Sequence, residues 1–226
     1  MLIAEDLLLL LTHDDTGKHL VSGSTLDLAL AGAVLLELAE REAVDVAGPG
    51  EQVRQGRLVV RDDRPTGDPV LDEALRRLAA AGAKKPQDVL PKIGKGLRAS
   101  LLARLVQRGI VRAEEGRVLG LFATRSWPAE DSAHEEQVRA ALHDVLVVGR
   151  TPAVREAELI SLLQAVDAVP KVVGGLPGRE LKRRAKAVAE GEFAGQAVRK
   201  AVEAVNSAVY AAIAATTAVT AASGSS

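Results

Sequence analysis

The clearest chemical bias in the chain is a basic stretch with no acidic residue between Asp88 and Glu114. Its six cationic side chains are Lys92, Lys95, Arg98, Arg104, Arg108 and Arg112. The apolar spacing predicts one helix from Leu90 to Arg108. On such a helix Lys95 and Arg98, three residues apart, project from one face and can hold one phosphate group between them. The alternative is a solvated basic face whose charges pair with acids elsewhere in the fold.

Two glycines interrupt the predicted helix beside these cations. Gly94 and Gly96 allow a ligand to approach the backbone near the start of the helix. Free N–H groups and the helix dipole favour anions there. Gly109 suits the position just after the helix end.

An apolar segment follows this helix. It predicts a β-hairpin that turns at residues 114–116 and has residues 118–122 as its second strand. Strand alternation places Leu119 and Leu121 on one face and Phe122 on the other. Such a hairpin beside a basic patch can enter a bilayer interface. The alternative is that one face packs on the helices and a partner covers the other.

Other candidate sites are weak. The chain has no cysteine, which excludes thiol catalysis and cysteine-ligated zinc. The segment 13–15 (HDD) suits a polar turn better than a metal site, and the histidines lack ligand spacing. The acids at positions 62–73 are better explained by capping of a helix that begins at Val70. No catalytic or nucleotide-binding motif is present, so we expect no enzyme, no metal and no cofactor.

The composition is that of an ordinary globular chain. Its 226 residues are 47% hydrophobic and 26% charged, and the formal net charge of −1 excludes attachment to nucleic acid or membrane by bulk charge. Aromatic residues make up only 2%, which predicts an aliphatic core of closely packed helices. Arginine outnumbers lysine 20 to 9, a bias typical of GC-rich genomes, and we expect a bacterial source.

The predicted architecture is mainly α: a single helical domain over residues 1–222, built around a buried helical core, with short strands and a protruding β-hairpin. Residues 223–226 read as a flexible tail. The apolar start contains Glu5 and Asp6 and has no basic leader, so it predicts no signal peptide. The alanine-rich segment 201–222 predicts a buried helix and not a membrane span, and we expect a cytoplasmic protein.

Several segments together resemble the Golgi phosphoprotein 3 family. The most specific are residues 65–68 (PTGD) and 71–75 (LDEAL). The long apolar helix around Gly32 and the alanine-rich segment 208–215 are also similar to that family. The resemblance spans nearly the whole chain.

The resemblance implies a helical fold with a protruding hairpin. It also implies a pocket for the phosphatidylinositol 4-phosphate headgroup, formed by a tryptophan and three basic residues. Two of those basic positions fall on Lys95 and Arg98, whereas the third falls on Ala31 and the tryptophan on Ser22. The family hairpin is implicated in membrane contact and self-association, and the family retains glycosyltransferases through their cytoplasmic tails.

Three hypotheses follow. The first is a non-enzymatic peripheral membrane protein that binds anionic phospholipid or phosphoinositide through Lys95 and Arg98, with Leu119, Leu121 and Phe122 of the hairpin inserting or forming a homo-oligomer. The second is a winged-helix nucleic-acid binder, although the neutral chain makes nucleic acid an unexpected partner. The third is a protein-interaction scaffold with the hairpin as a dimer contact.

Overall fold

The computed structural model describes residues 1–118, 122–191 and 196–223. The helices within these ranges are α1 (Ile3–Leu10), α2 (Gly23–Glu40), α3 (Pro69–Ala81), α4 (Pro86–Gly94), α5 (Leu97–Gln107), α6 (Ala133–His143), α7 (Val154–Ala165), α8 (Val169–Val172), α9 (Gly178–Ala189) and α10 (Gln196–Ser223). A π-helical turn, Asp144–Val148, extends α6. The expectation of a mainly α fold is confirmed.

Four short strands complete the described structure. They are β1 (Val44–Val46), β2 (Leu58–Val60), β3 (Glu114–Val118) and β4 (Phe122–Ser126). β1 pairs with β2 and β3 with β4, both antiparallel, so the strands form two separate ribbons. Neither ribbon is long enough to form a core of its own, and the helices provide it.

Helix α2 is the centre of the molecule. It is apolar on nearly every face, as a helix surrounded by other helices must be. From Leu26 to Leu38 every residue is buried except Asp27. Helices α1, α4, α7 and α10 pack against it. The one acidic residue of this segment that reaches solvent therefore lies on the side where α2 meets the basic stretch.

Two buried carboxylates join α1 to the rest of the fold. Glu5 accepts the Leu2 backbone N–H at 2.8 Å and lies 3.1 Å from the guanidinium of Arg104. Asp6 is paired with Arg155 at 2.8 Å. Buried charges are tolerated when they are paired and hydrogen-bonded in this way.

The single helix predicted from Leu90 to Arg108 is wrong. The chain forms two helices, because Lys95 adopts an extended conformation and Gly96 the left-handed one, with φ +75°. Glycine takes that conformation at no steric cost. Apolar residues keep helical spacing across the break, which hides it from the sequence pattern.

The predicted turn of the hairpin is also wrong. Glu114 and Gly116 lie within β3, paired with Ser126 and Thr124, and Val118 pairs with Phe122. The polar Glu-Glu-Gly sequence therefore belongs to a strand. Of the residues predicted to form the apolar strand, Leu119 and Leu121 lie outside the described residues.

The last helix, α10, ends close to the predicted boundary between the domain and its tail. Ser223 is the last residue of α10, and residues 224–226 lie outside the described part of the chain. Among the helices described, none is long and apolar enough to cross a bilayer.

Candidate functional site

The two cations singled out by the sequence flank the junction between α4 and α5. Lys95 is the last residue before the break and Arg98 is the second residue of α5. They do not share a helix face, which corrects the expectation from their spacing. They nevertheless line the same groove of about 570 Å³, together with Ser24 and Asp27 of α2. The break in the helix, and not helical periodicity, brings both side chains to one surface.

Lys95 presents an unpaired ammonium group. Its side chain is exposed, and within the described ranges no carboxylate lies within 4 Å of its nitrogen. The next helix begins one residue later, and no side chain caps its first turn because Gly96 occupies the N-cap position. The first N–H groups of α5 and the positive end of its dipole therefore lie beside Lys95.

Arg77 of α3 fixes the backbone around Lys95. Its Nη1 donates to the backbone carbonyls of Lys92 at 2.9 Å, Ile93 at 3.1 Å and Lys95 at 2.7 Å. These are carbonyls that the end of α4 leaves without an intrahelical partner. Glu73 accepts from Arg77 Nε at 2.7 Å and holds the guanidinium in place. The backbone that carries Lys95 is thereby tied to α3.

The segment 65–68 that precedes α3 supports the same junction. Asp68 caps α3 by accepting from the Val70 N–H at 2.8 Å, and it pairs with Arg104 of α5 at 2.8 Å. Burial opposes ionisation of Asp68, but the hydrogen bonds from Arg104 and Val70 outweigh it and lower the pKa of the carboxyl group. Thr66 donates to Asp72 at 2.7 Å and closes the turn. This segment builds the support of the groove and not its lining.

Arg98 differs from Lys95 because it is paired. Its Nε lies 3.3 Å from Oδ1 of Asp27, and the two side chains remain 32% and 37% exposed. The guanidinium runs along the start of α2, where a Cβ placed on Gly23 would lie 3.1 Å from Nη1. Burial raises the pKa of Asp27, and the charge of Arg98 opposes that rise. An anion that binds Arg98 must therefore compete with a carboxylate.

An aromatic pair near Arg98 was missed by the sequence analysis. The rings of His19 and Trp127 are stacked, with centroids 6.3 Å apart and planes inclined by 9°. Burial and the nearby charge of Arg98 both lower the pKa of His19. The two residues are far apart in the chain, and no local pattern signals their contact. Neither ring lines the groove that contains Lys95 and Arg98.

The two positions where the family pattern is not kept have structural roles. Ser22 is the N-cap of α2, where its hydroxyl accepts from the Thr25 N–H at 3.2 Å. Ala31 is fully buried. It faces Gly94 of α4, where an added Cβ would lie 3.8 Å from Ala31 Cβ and 3.0 Å from the Asp27 carbonyl oxygen. Because α2 and α4 approach each other closely here, position 31 has no room for a long basic side chain.

The three C-terminal arginines of the basic stretch pair with acids, as the alternative interpretation expected. Arg104 contacts Glu5 and Asp68, Arg108 lies 3.3 Å from Glu5, and Arg112 lies 2.7 Å from Glu114. Lys92 is exposed on α4. The cationic character of the stretch therefore reaches solvent mainly at its N-terminal half.

The remaining predicted site residues belong to the hairpin. Leu119 and Leu121 lie outside the described residues, and Phe122 is placed by its backbone pairing with Val118. Over the described ranges, no group of three or more His, Cys, Asp or Glu side chains is arranged to hold a metal ion. The groove at the α4–α5 junction remains the candidate site.

The residues that form α2, the groove and the hairpin after α5 all lie within the match to one family model. The family model described as Golgi phosphoprotein 3 (GPP34) matches residues 3–205. The match includes α1, the supporting segment before α3, the α4–α5 junction and the start of α10. Because it covers most of the sequence, the chain belongs to the Golgi phosphoprotein 3 family.

Proposed function

We propose that the chain is a non-enzymatic peripheral membrane protein that binds the phosphate of an anionic phospholipid headgroup in the groove at the α4–α5 junction. The observation that carries this proposal is the unpaired Lys95 ammonium group beside the uncapped start of α5. Arg98 adds a second cation on the same groove. Membership of the Golgi phosphoprotein 3 family supports a lipid ligand.

The strength of such a site follows from its two cations. Each contributes about 1 kcal/mol of attraction near an anionic membrane, which is insufficient for stable attachment. The hairpin residues Leu119, Leu121 and Phe122 are proposed to add apolar insertion or self-association. The protein then resides at the cytoplasmic face of a membrane, and a bacterial source remains a prediction from its composition.

Headgroup selectivity is proposed to be broad. Phosphatidylinositol 4-phosphate is the ligand that the family resemblance implies. With Ser22 capping α2 and Ala31 buried, the groove lacks the aromatic and basic contacts that a specific inositol ring needs. We therefore expect affinity to follow the negative charge of the lipid, with a phosphomonoester favoured over a phosphodiester because it has more charge.

Vesicle co-sedimentation tests the proposal. Vesicles of phosphatidylcholine alone are compared with vesicles that also contain phosphatidylinositol 4-phosphate, phosphatidylglycerol or cardiolipin. Replacing both Lys95 and Arg98 with alanine removes about 2 kcal/mol and weakens binding to anionic vesicles about 30-fold.

The matched control is Lys92→Ala, which removes one charge from the same basic stretch but is not part of the groove lining. We expect it to retain most of the binding. Equal binding by the wild type and the Lys95/Arg98 double variant would overturn the proposal. Equal losses in the Lys92 and Lys95 single variants would indicate a diffuse surface charge in place of a site.

The two other hypotheses predict different results. A winged-helix module presents the cations of its helix to nucleic acid, but Arg104 of α5 and Arg108 just after it are engaged with Glu5 and Asp68. Strong, salt-sensitive binding in a gel-shift titration would favour nucleic acid. A mass in light scattering that depends on concentration but not on lipid would favour a scaffold.

A further inference from the structure

A second groove, the α3–α5 groove, lies beside the candidate site. Residues of α3, of the end of α4 and of α5 line it, and its volume is about 560 Å³. That volume falls within the roughly 300–1,000 Å³ of typical ligand sites. The two grooves share Lys95 and Gly96, so the break between α4 and α5 is the ridge that separates them.

Helices α3 and α5 run antiparallel along this groove. Arg77, in the second half of α3, donates to the carbonyl oxygen of Lys95, just before α5 begins. At the other end Asp68, just before α3 begins, pairs with Arg104 in the second half of α5. The lining residues of α5 lie on one helix face, at spacings of three and four residues: Leu97, Ser100, Arg104 and Gln107. At a rise of 1.5 Å per residue this wall is about 15 Å long, about the length of four or five residues of an extended chain.

The walls of the groove offer both hydrogen-bond donors and acceptors. Arg77 and Arg104 use Nε and Nη1 for the partners described above, so in the described part of the chain Nη2 of each has no partner. The two side chains are 28% and 23% exposed, and neither Nη2 is one of the unpartnered atoms that solvent cannot reach. Ser100 donates to the Gly96 carbonyl at 3.2 Å and keeps acceptor capacity. Gln107 is exposed, and its amide can both donate and accept.

The floor of the groove is apolar. Its side chains come from all three helices and include Val70, Ala74, Ile93 and Leu97. Val70 and Leu97 keep 9% and 7% of their surface exposed, so part of the floor is open to a ligand. An apolar side chain placed there would leave water, which favours binding.

The charges leave one end of the groove positive. At the α4 end, Glu73 is paired with both Arg76 and Arg77, so this group already carries one excess positive charge. Lys95 adds a second, because it has no acidic partner within the described ranges. At the other end, the arginines and carboxylates described above offset each other. A ligand that complements the groove therefore has its negative charge at the α4 end.

We propose that the α3–α5 groove binds an extended peptide segment of a partner protein, with an acidic side chain at Lys95 and an apolar side chain two residues away on the floor. Alternate side chains of an extended chain face the same way, so both reach the groove together. The peptide carbonyls accept from the unpartnered Nη2 groups, and one peptide N–H donates to Ser100. An acyl chain would leave these wall groups without partners, and a basic segment would be repelled by Lys95.

The site has a consequence for lipid binding, because Lys95 lines both grooves. An acidic peptide and a lipid phosphate compete for its one ammonium group. This consequence rests on the proposed function, whereas peptide binding in solution does not. On vesicles that contain phosphatidylglycerol, the acidic peptide should therefore release the chain.

Fluorescence anisotropy tests the proposal in solution, without lipid. The probe is a fluorescein-labelled peptide of sequence Gly-Glu-Gly-Leu-Ser-Gly, titrated with the full chain. Replacing its Glu with Gln keeps the shape and removes the charge, and we expect at least fivefold weaker binding. Replacing its Leu with Ser should weaken binding about threefold, because the floor then receives no apolar group. Octanoate, a carboxylate with an acyl chain, is titrated as a competitor.

Variants connect the binding to this groove. Ser100→Glu places a carboxylate on the groove wall about one helical turn from Gly96, and we expect it to weaken binding of the acidic peptide about tenfold. Ala103→Glu is the matched control, because Ala103 is exposed on the same helix, lines neither groove and changes the net charge equally. Lys95→Ala should remove most of the preference for the Glu peptide over the Gln peptide.

Four results would overturn the proposal. The first is no saturable binding of the Glu peptide, and the second is equal binding of the Glu and Gln peptides. The third is an equal effect of Ser100→Glu and Ala103→Glu on peptide binding. The fourth is octanoate binding more tightly than the peptide, which would assign the groove to an acyl chain. Peptide binding by a wild type that does not sediment with anionic vesicles would instead refute the lipid function and support the peptide site.

Discussion

In the proposed lipid site, Asp27 is the carboxylate that would compete with a bound phosphate, so its neutralisation should tighten lipid binding. In the free protein it lies 3.3 Å from Arg98. The substitution Asp27→Asn keeps the shape of the side chain and removes its charge. If the groove binds phosphate, replacing Lys95 should lower the affinity for lipid, whereas replacing Asp27 should raise it.

The magnitude follows from the geometry. Both partners of the Arg98–Asp27 pair remain about a third exposed, at 32% and 37%, so the pair itself contributes in the range of roughly 0.2–1 kcal/mol. A phosphate on Arg98 also experiences repulsion from Asp27, which is about 0.8 kcal/mol for two unit charges roughly 5 Å apart in a water-like dielectric. We expect a gain of about 1 kcal/mol, or about fivefold tighter binding.

The assay is co-sedimentation with phosphatidylglycerol vesicles at pH 7.5, since a phosphodiester keeps a constant charge there. Asp63→Asn is the matched control, because Asp63 is exposed and its loss changes the net charge by the same amount. In an Arg98→Ala background, the gain from Asp27→Asn should shrink to the part due to repulsion. Unchanged or weaker binding by Asp27→Asn, or an equal gain from Asp63→Asn, would refute the reasoning.

Two further predictions concern the support of the groove and a buried acid. Arg77→Ala should lower the free energy of unfolding by about 1–2 kcal/mol in a denaturant titration, because three carbonyls lose their donor, and it should also weaken vesicle binding. The control Arg76→Ala breaks only an exposed ion pair and should change neither quantity. Burial and the charges of Glu40 and Glu37 raise the pKa of Glu158 from its usual 4.5 to about 8, so stability should fall as the pH rises between these values. Glu158→Gln should then raise the melting temperature at pH 8 by about 2–4 °C but leave it unchanged at pH 4.5; an equal gain at both pH values would contradict this assignment.

The sequence predicted the elements that have a strong local pattern. The apolar helix around Gly32 is α2, and the helix expected to begin at Val70 is α3, which begins one residue earlier at Pro69. The break at Gly96 was not, because Leu90, Ile93, Leu97 and Leu101 keep a spacing that suits one continuous helix. Whether a glycine continues a helix or ends it depends on the tertiary packing on either side.

The candidate site was predicted in part. The acid-free stretch pointed to six cations, and Lys95 and Arg98 were chosen among them by a helical spacing that the break at Gly96 removes. The pairing of Arg98 with Asp27 and the stacking of His19 on Trp127 depend on residues distant in the chain.

The position of the segments 65–68 and 71–75 has a consequence for how relatives of this chain are compared. Both segments lie within the match to the family model, yet their polar side chains have structural roles. Thr66 closes the turn before α3, Asp68 pairs with Arg104 of α5, and Glu73 orients Arg77 against the end of α4. Sequence segments whose residues have structural roles indicate the fold, but they do not indicate which ligand is bound. Two chains with the same signature are therefore free to differ in what they bind, and the ligand has to be inferred from positions such as 22, 27, 31, 95 and 98.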